Sequence, residues 1–348
     1  MKILRTAVLG LGRAGWKIHI PELIKHKNYM LTAVADPLEE RLDEAKSRLN
    51  VRVYRTCEQL FASEKLDLIV IASPTHFHLE QAIAAFENSV DVLCDKPVAA
   101  SLDETDRMIE SMRKHKKKCM VYQPHRTYSD IVSLQAILNR DLIGPVYMIK
   151  RAWCRYRVRV DWQAFRRYGG GELSNSGAHF IDQLLYLSGS RAKHVTCFLR
   201  RVISEGDAED VAKILIETEN GLILDLDITM AAALPIPAWQ ILGGRGAVVW
   251  DDESASWHIR YYQKDEFTGM EIQNNLAATN RSYGDDQVFP FREERVRSAD
   301  YKPIVFYDKA YDYFAGGTRP FIPIEETREI MRIIEICRKN HGFFQGYK

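Results

Sequence analysis

The 348-residue chain has little of what would set it apart from an ordinary globular protein. Its six cysteines, at 57, 94, 119, 154, 197 and 337, are scattered and form no C-x-x-C pair. That argues against a disulfide framework or a zinc ribbon, calls for no metal, and suits a reducing, cytoplasmic setting. No apolar run approaches the roughly 20 residues that span a bilayer, and Met1-Lys2-Ile3-Leu4-Arg5 lacks the apolar core of a signal peptide, so no membrane partner is expected. Charge of one sign is missing too. With 48 basic residues against 47 acidic ones the net charge is +1, which leaves no electrostatic footprint for a nucleic acid and no acidic tail. Internal repeats and low-complexity segments are absent. What is present is a 46% hydrophobic share over a length that supports two full-sized cores.

The chain is organised around Thr6-Ala7-Val8-Leu9-Gly10-Leu11-Gly12-Arg13-Ala14-Gly15. An apolar strand runs into G-x-G-x-x-G and then a helix. Gly10 permits the tight turn, Gly12 lets a pyrophosphate approach the backbone, and Gly15 lets the helix lie close to the sheet. The helix start, with Arg13 and Ala14 between the last two glycines, offers free N–H groups and a positive dipole end to phosphates. A second apolar strand, 31–35, ends at Asp36, 21 residues past Gly15. A carboxylate there grips a ribose 2′-hydroxyl and repels a 2′-phosphate, so the pattern calls for NAD in preference to NADP. The alternative is a structural glycine turn with Asp36 as a helix cap. The coincidence of strand, glycines, helix and acid at these spacings weighs against it.

Short apolar strands alternate with amphipathic helices through the first third. A helix follows Pro37, strand 51–53 comes next, and Thr56 with Gln59 reads as a capping box. Leu68-Ile69-Val70-Ile71-Ala72 reads as a strand buried on both faces. Ser73-Pro74-Thr75 ends it at the edge where ligands bind, and a helix starts at His76. Strand 91–94 leads to Asp95-Lys96-Pro97. Ser101 and Glu104 cap a helix that ends in the basic run 113–118, which suits a solvated helix end. Strand 119–122 closes a six-strand doubly wound parallel sheet, a nucleotide-binding domain over 1–123. Residues 124–348 then read as an α+β domain with a large open sheet. Its elements are a helix at 129–139 and strands at 146–160, 195–201, 211–217, 222–230, 239–243, 247–250 and 257–262, which should pair antiparallel. Residues 263–303 are polar and irregular, and helices at 305–314 and 325–339 finish the chain. Substrate should lie between the domains, over the carboxyl ends of the first domain's strands.

Three groups could carry chemistry. Lys96 follows the fifth strand. A lysine there either holds a substrate hydroxyl and acts as acid or base, or is a surface loop lysine. Cys94 beside it reads as a buried thiol. The run Gly169-Gly170-Gly171-Glu172-Leu173-Ser174-Asn175-Ser176-Gly177-Ala178-His179-Phe180-Ile181-Asp182 should bend sharply and start a helix near Gly177, capped by Asn175 or Ser176. His179 then falls in the first turn, where the dipole favours a neutral imidazole, and Asp182 stands behind it as an acceptor. Finally, Arg155, Arg157 and Arg159 share one face of a strand, near Arg166 and Arg167. They read as an anion site, an exposed strand or a subunit contact. Arg126 and Trp162 are expected to line the cleft.

Taken together, Gly10-x-Gly12-x-x-Gly15, Pro74 through His78, Asp95-Lys96-Pro97 and Gly169 through Asp182 resemble the motifs of the Gfo/Idh/MocA family, and the likeness covers nearly the whole chain. The resemblance implies a Rossmann domain plus a C-terminal open-sheet domain, and NAD(P)-dependent chemistry at a sugar or polyol carbon. It places Ser73, Pro74, Thr75, His78 and Asp95 with the glycine turn around the dinucleotide. It gives Lys96 the task of holding the reacting hydroxyl, and His179 that of transferring its proton. Asp95 stands where the family has glutamate, and Asn175 where it has aspartate. A neutral hydrogen bond in place of a charged one weakens support for an imidazolium by about a factor of ten.

The resulting expectation is an NAD-dependent sugar or polyol dehydrogenase. Two alternatives remain at this point: a glycoside-cleaving enzyme that recycles tightly bound NAD, and a non-enzymatic sensor of nucleotide and sugar. The open sheet face calls for a homodimer or homotetramer.

Overall fold

The computed structural model describes residues 2–266 and 288–339. The first sheet contains β1 (Leu4–Leu9), β2 (Tyr29–Ala35), β3 (Arg52–Tyr54), β4 (Leu68–Ile71), β5 (Asp91–Cys94) and β6 (Cys119–Val121). All neighbours are parallel in the order β3-β2-β1-β4-β5-β6, with the topological switch between β1 and β4. Every residue of β4 is buried, as a strand covered on both faces requires.

The crossovers are a π-helical turn (Gly15–His19) running into α1 (Ile20–Lys25), then α2 (Glu39–Arg48), α3 (Cys57–Ser63), α4 (His78–Glu87) and α5 (Leu102–Lys114). The hydroxyl of Thr56 accepts from Gln59 N at 3.3 Å and that of Ser101 from Glu104 N at 3.1 Å, so both expected caps satisfy an orphan helix donor.

Helix α6 (Ser129–Leu138) precedes a second sheet that has eight strands among the described residues: β7 (Val146–Cys154), β8 (Ala192–Arg200), β9 (Val211–Thr218), β10 (Ile223–Thr229), β11 (Trp239–Gly243), β12 (Gly246–Asp251), β13 (Ser256–Tyr261) and β14 (Arg292–Arg297). Helix α7 (Ala178–Ser188) lies between β7 and β8 in the chain. The order is β14-β13-β12-β11-β7-β10-β9-β8.

Three features differ from the expectation. The pairing is mainly antiparallel, but β7 and β10 run parallel, from Met148–Ile223 to Cys154–Thr229. Residues 155–222, which include α7, form the long connection that a parallel pair needs. The strand expected over 146–160 ends at Cys154. Its partner β10 stops at Thr229, Tyr156 keeps only an isolated bridge to Ala231, and Val160 is 95% exposed. Within the polar stretch 263–303, β14 forms an edge strand whose sequence Arg-Glu-Glu-Arg-Val-Arg carries a single apolar residue, so no hydrophobic alternation announces it. The part of that stretch at 267–287 lies outside the described residues.

The chain ends its described course in α8 (Phe306–Phe314) and α9 (Ile324–Lys339). Phe306, Tyr307, Ala310 and Phe314 share a core with Leu4, Val8 and Val70 under the first sheet. The segment expected as a separate C-terminal unit therefore returns one helix to the first layer. Each buried phenylalanine there contributes about 1.5–3 kcal/mol. Helix α9 packs on α5, α7 and β8. By touching both β6 and α7, α9 ties α7 to the first sheet. Among the described residues no helix is long and apolar enough to cross a membrane.

Candidate active site

At the switch point, Gly10 has φ +90°, and a Cβ on it would lie 2.7 Å from Ser73 N, so only glycine fits between β1 and β4. A Cβ on Gly15 would lie 1.9 Å from Gly10 O. A Cβ on Gly12 meets nothing within 4 Å, which leaves open space over the backbone where a pyrophosphate fits. The carboxylate of Asp36 is buried. Its Oδ2 accepts from Leu11 N at 2.7 Å, its Oδ1 from Leu38 N at 3.0 Å, and Arg41 Nη1 is 3.1 Å away. It thus braces the glycine turn, with a guanidinium beside it.

After β4, Ser73 Oγ donates to Gln81 Oε1 at 2.6 Å. His78 corrects the sequence reading. Its ring is buried, with Nε2 2.8 Å from Ser73 O and Nδ1 2.9 Å from Pro97 O. It ties the loop after β4 to the loop after β5 and offers no free nitrogen to a dinucleotide. Asp95 braces the second loop: its Oδ1 accepts from Lys96 N at 2.8 Å, and its Oδ2 lies 3.9 Å from His19 Nε2. Cys94 is buried behind it.

Lys96 Nζ donates to Asn175 O at 2.9 Å and lies 3.4 Å from Asn175 Oδ1. Burial lowers its pKa, and the attraction of Asp95 and Glu172 does not restore it. His179 Nδ1 is 3.2 Å from Gln123 Oε1. An amide oxygen only accepts, so Nδ1 carries the proton and Nε2 presents its lone pair. The ring stacks on His125 with centroids 3.8 Å apart and planes 10° apart. Burial pushes the His179 pKa well below the ordinary histidine value, and Lys96 and His125 add to the effect. His125 is pushed down to about 4 by burial, then by Lys96 and Arg151.

Several expectations about this region are corrected. The α-helix starts at Ala178, where it was expected, but neither Asn175 nor Ser176 caps it. A π-helical turn, Leu173–Gly177, runs directly into α7, so the helical course starts a turn before His179 and burial is the main cause that keeps its imidazole neutral. The early start has a cause remote in sequence: Glu209 Oε1 accepts from Leu173 N at 3.1 Å, and a Cβ on Gly171 (φ +104°) would strike that carboxylate. Asn175 faces Lys96, whereas Gln123 holds His179. Asp182 is not behind His179 either. It receives Arg126 Nε at 2.8 Å and Nη2 at 2.5 Å, while Arg126 Nη1 reaches Glu326 at 2.6 Å. Burial disfavours the Arg126 cation, but Asp182 and Glu326 outweigh it and hold the pKa above its usual range. Arg126, expected in the cleft, is thus a buried clamp between α7 and α9.

Trp162 is 48% exposed on a short helical turn, joined to Lys96 or His179 by no hydrogen bond or ring contact among the described residues. The three arginines do not act as one strand face. Arg155 stacks over Trp153, Arg157 is exposed, and Arg159 pairs with Glu172 at 3.4 Å and Asp161 at 3.2 Å. Sequence reasoning missed Gln123 and His125. Their place directly after β6, at the ligand-binding edge, is the signal that would have found them.

Residues 4–123 match the family model described as "Oxidoreductase family, NAD-binding Rossmann fold", and residues 131–249 match that of the GFO/IDH/MocA C-terminal domain. An uncharacterized oxidoreductase of Schizosaccharomyces pombe is 27% identical over 223 residues, 62% of this chain and 60% of that protein. A D-glucoside 3-dehydrogenase of Escherichia coli is 27% identical over 193 residues, 53% of this chain and 54% of that protein. The chain therefore spans little more than half the length of these relatives. The solved structure of an NAD-binding protein from Listeria innocua superposes with a TM-score of 0.83 at 22% identity, over 97% of each chain, and shares the fold. Two family models matched in order, one on each sheet, and a site assembled between them make this chain a member of the Gfo/Idh/MocA oxidoreductase family.

Proposed function

We propose that the chain is a dehydrogenase acting between a nicotinamide dinucleotide, NAD in preference to NADP, and a secondary alcohol or ketone carbon of a sugar, polyol or sugar derivative. The observation that carries this reading is the arrangement at the carboxyl edge of the first sheet. A desolvated ammonium on Lys96 and an imidazole on His179, with its Nε2 left as acceptor, stand together there. Residues 1–123 hold the dinucleotide. The turn from Gly10 to Gly15 takes the pyrophosphate, Asp36 the adenosine ribose, and Ser73, Pro74, Thr75, Asp95 and Lys96 flank the nicotinamide end. A bound nicotinamide supplies hydride acceptance from the reacting carbon. Lys96 donates to the substrate oxygen and orients it, and His179 Nε2 takes the hydroxyl proton. Asn175 positions Lys96 and meets a substrate hydroxyl, and Trp162 lines the outer cleft. Kinship with a D-glucoside 3-dehydrogenase supports a sugar-like substrate. Phe198, Leu215 and Ile223, exposed on the open face of the second sheet, support a homo-oligomer.

The test is the growth of reduced-nicotinamide absorbance with NAD and a panel of sugars and polyols. Turnover of at least one member, lost in Lys96→Ala and His179→Ala, supports the reading. Product formed without added cofactor and without net NADH would favour the recycling glycoside cleavage instead. Tight ligand binding with no turnover would favour a sensor.

A further inference from the structure

We infer that His125 is a positioning residue for His179, and that its ring face supports the imidazolium formed when His179 accepts a proton. This rests on the reading of His179 as proton acceptor. In that step the proton leaves the substrate oxygen and ends on His179 Nε2, and no other bond of either histidine changes.

The need for such support follows from what surrounds His179. No carboxylate is hydrogen-bonded to its ring among the described residues. From the loop after β5 it faces the cation Lys96, and from the loop after β6 the neutral Gln123 and His125. On its own helix Asp182 is taken by Arg126, and at the helix start Glu172 is engaged by Ser176 and Arg159. Behind His125 stands Arg151 of β7, with Asp130 of α6 near it. A proton arriving on His179 therefore enters a neighbourhood of cations.

The stack answers that need. Two neutral rings avoid a near-parallel face-to-face contact as close as 3.8 Å and 10°. A cationic ring over a neutral one is attracted by the face of its partner. Burial, with Lys96 and Arg151, holds His125 neutral as well, so the pair carries at most one charge, and in the proton transfer that charge is on His179, whose Nε2 is the acceptor. An attraction of this kind is worth about two- to thirtyfold in the protonation equilibrium.

The test compares His125→Phe, which keeps an aromatic face, with His125→Leu, which excludes water equally but has no π face. His125→Met replaces the leucine variant should that one not fold. In the unliganded protein, histidine NMR follows the titration of His179. The expected result is a midpoint lowered by about 0.3–1.5 pH units in the leucine variant and restored in the phenylalanine variant. In the enzyme, kcat falls by about two- to thirtyfold with leucine, at unchanged KM, and recovers with phenylalanine. Equal behaviour of the two variants overturns the inference, as does a wild-type His179 that stays neutral until the fold is lost. A leucine-specific NMR shift without turnover of any substrate would uphold the stack and sink the dehydrogenase reading.

Discussion

Asn175→Asp puts a charge where the structure has an amide oxygen 3.4 Å from the Lys96 ammonium. At an effective dielectric of about 20, a unit charge at that distance interacts by about 5 kcal/mol, an upper bound before the new carboxylate's own desolvation is subtracted. A carboxylate beside a cation commonly shifts a pKa by about 1–3 units, and that range is expected here. The sign follows from Lys96's present state. Burial lowers its pKa below the usual lysine value, so at neutral pH the folded protein bears the cost of an under-solvated ammonium. That cost disappears only above the unfolded lysine pKa, where both states are neutral, and is felt in full below the folded one. Aspartate at 175 raises the folded pKa. The alkaline limb of kcat/KM should therefore move up by about 1–3 pH units. Stability at pH 7 should rise by about 1 kcal/mol, the gain of a charged over a neutral hydrogen bond. The assays are the pH profile and urea unfolding. An alkaline limb that does not move, or moves down, would refute the placement of Asn175 on Lys96.

Lys96→Ala and His179→Ala should each lower turnover by about a hundredfold or more while NAD binding, followed by fluorescence titration, persists. Asp36→Asn keeps an acceptor for only one of the N–H groups of Leu11 and Leu38, which bond different carboxylate oxygens, and removes the charge facing Arg41. The preference for NAD over NADP, read as a ratio of kcat/KM values, should fall at least about tenfold. Arg126→Met leaves Asp182 buried without its cation and should cost about 3–5 kcal/mol in chemical denaturation, an outcome that a substrate-contacting role would not produce.

The first sheet was legible because its signals are local. Four consecutive buried residues make β4 a continuous apolar run, and each of Thr56 and Ser101 caps a donor three residues away. Seven strands of the second sheet were legible and β14 was not, and its parallel pair was hidden too, since nothing within β7 or β10 says that they lie side by side. At the site, Lys96 and His179 could be named from their motifs, but their partners could not. Glu209 caps the helix start from 36 residues away, Gln123 reaches His179 from 56, and Arg126 claims Asp182 from the same distance. An acid three residues along a helix looks available to a histidine until a buried guanidinium from elsewhere takes it.

The central claim is that the ammonium of Lys96 and Nε2 of His179 face one reacting carbon beside the nicotinamide. A crystal structure with NAD and a sugar or polyol that the enzyme turns over tests it most directly. The account predicts one substrate oxygen within hydrogen-bond distance of both groups, with its carbon about 3–3.5 Å from the hydride-accepting ring atom. A ring lying elsewhere in the crevice, or a substrate oxygen that neither group reaches, would contradict it.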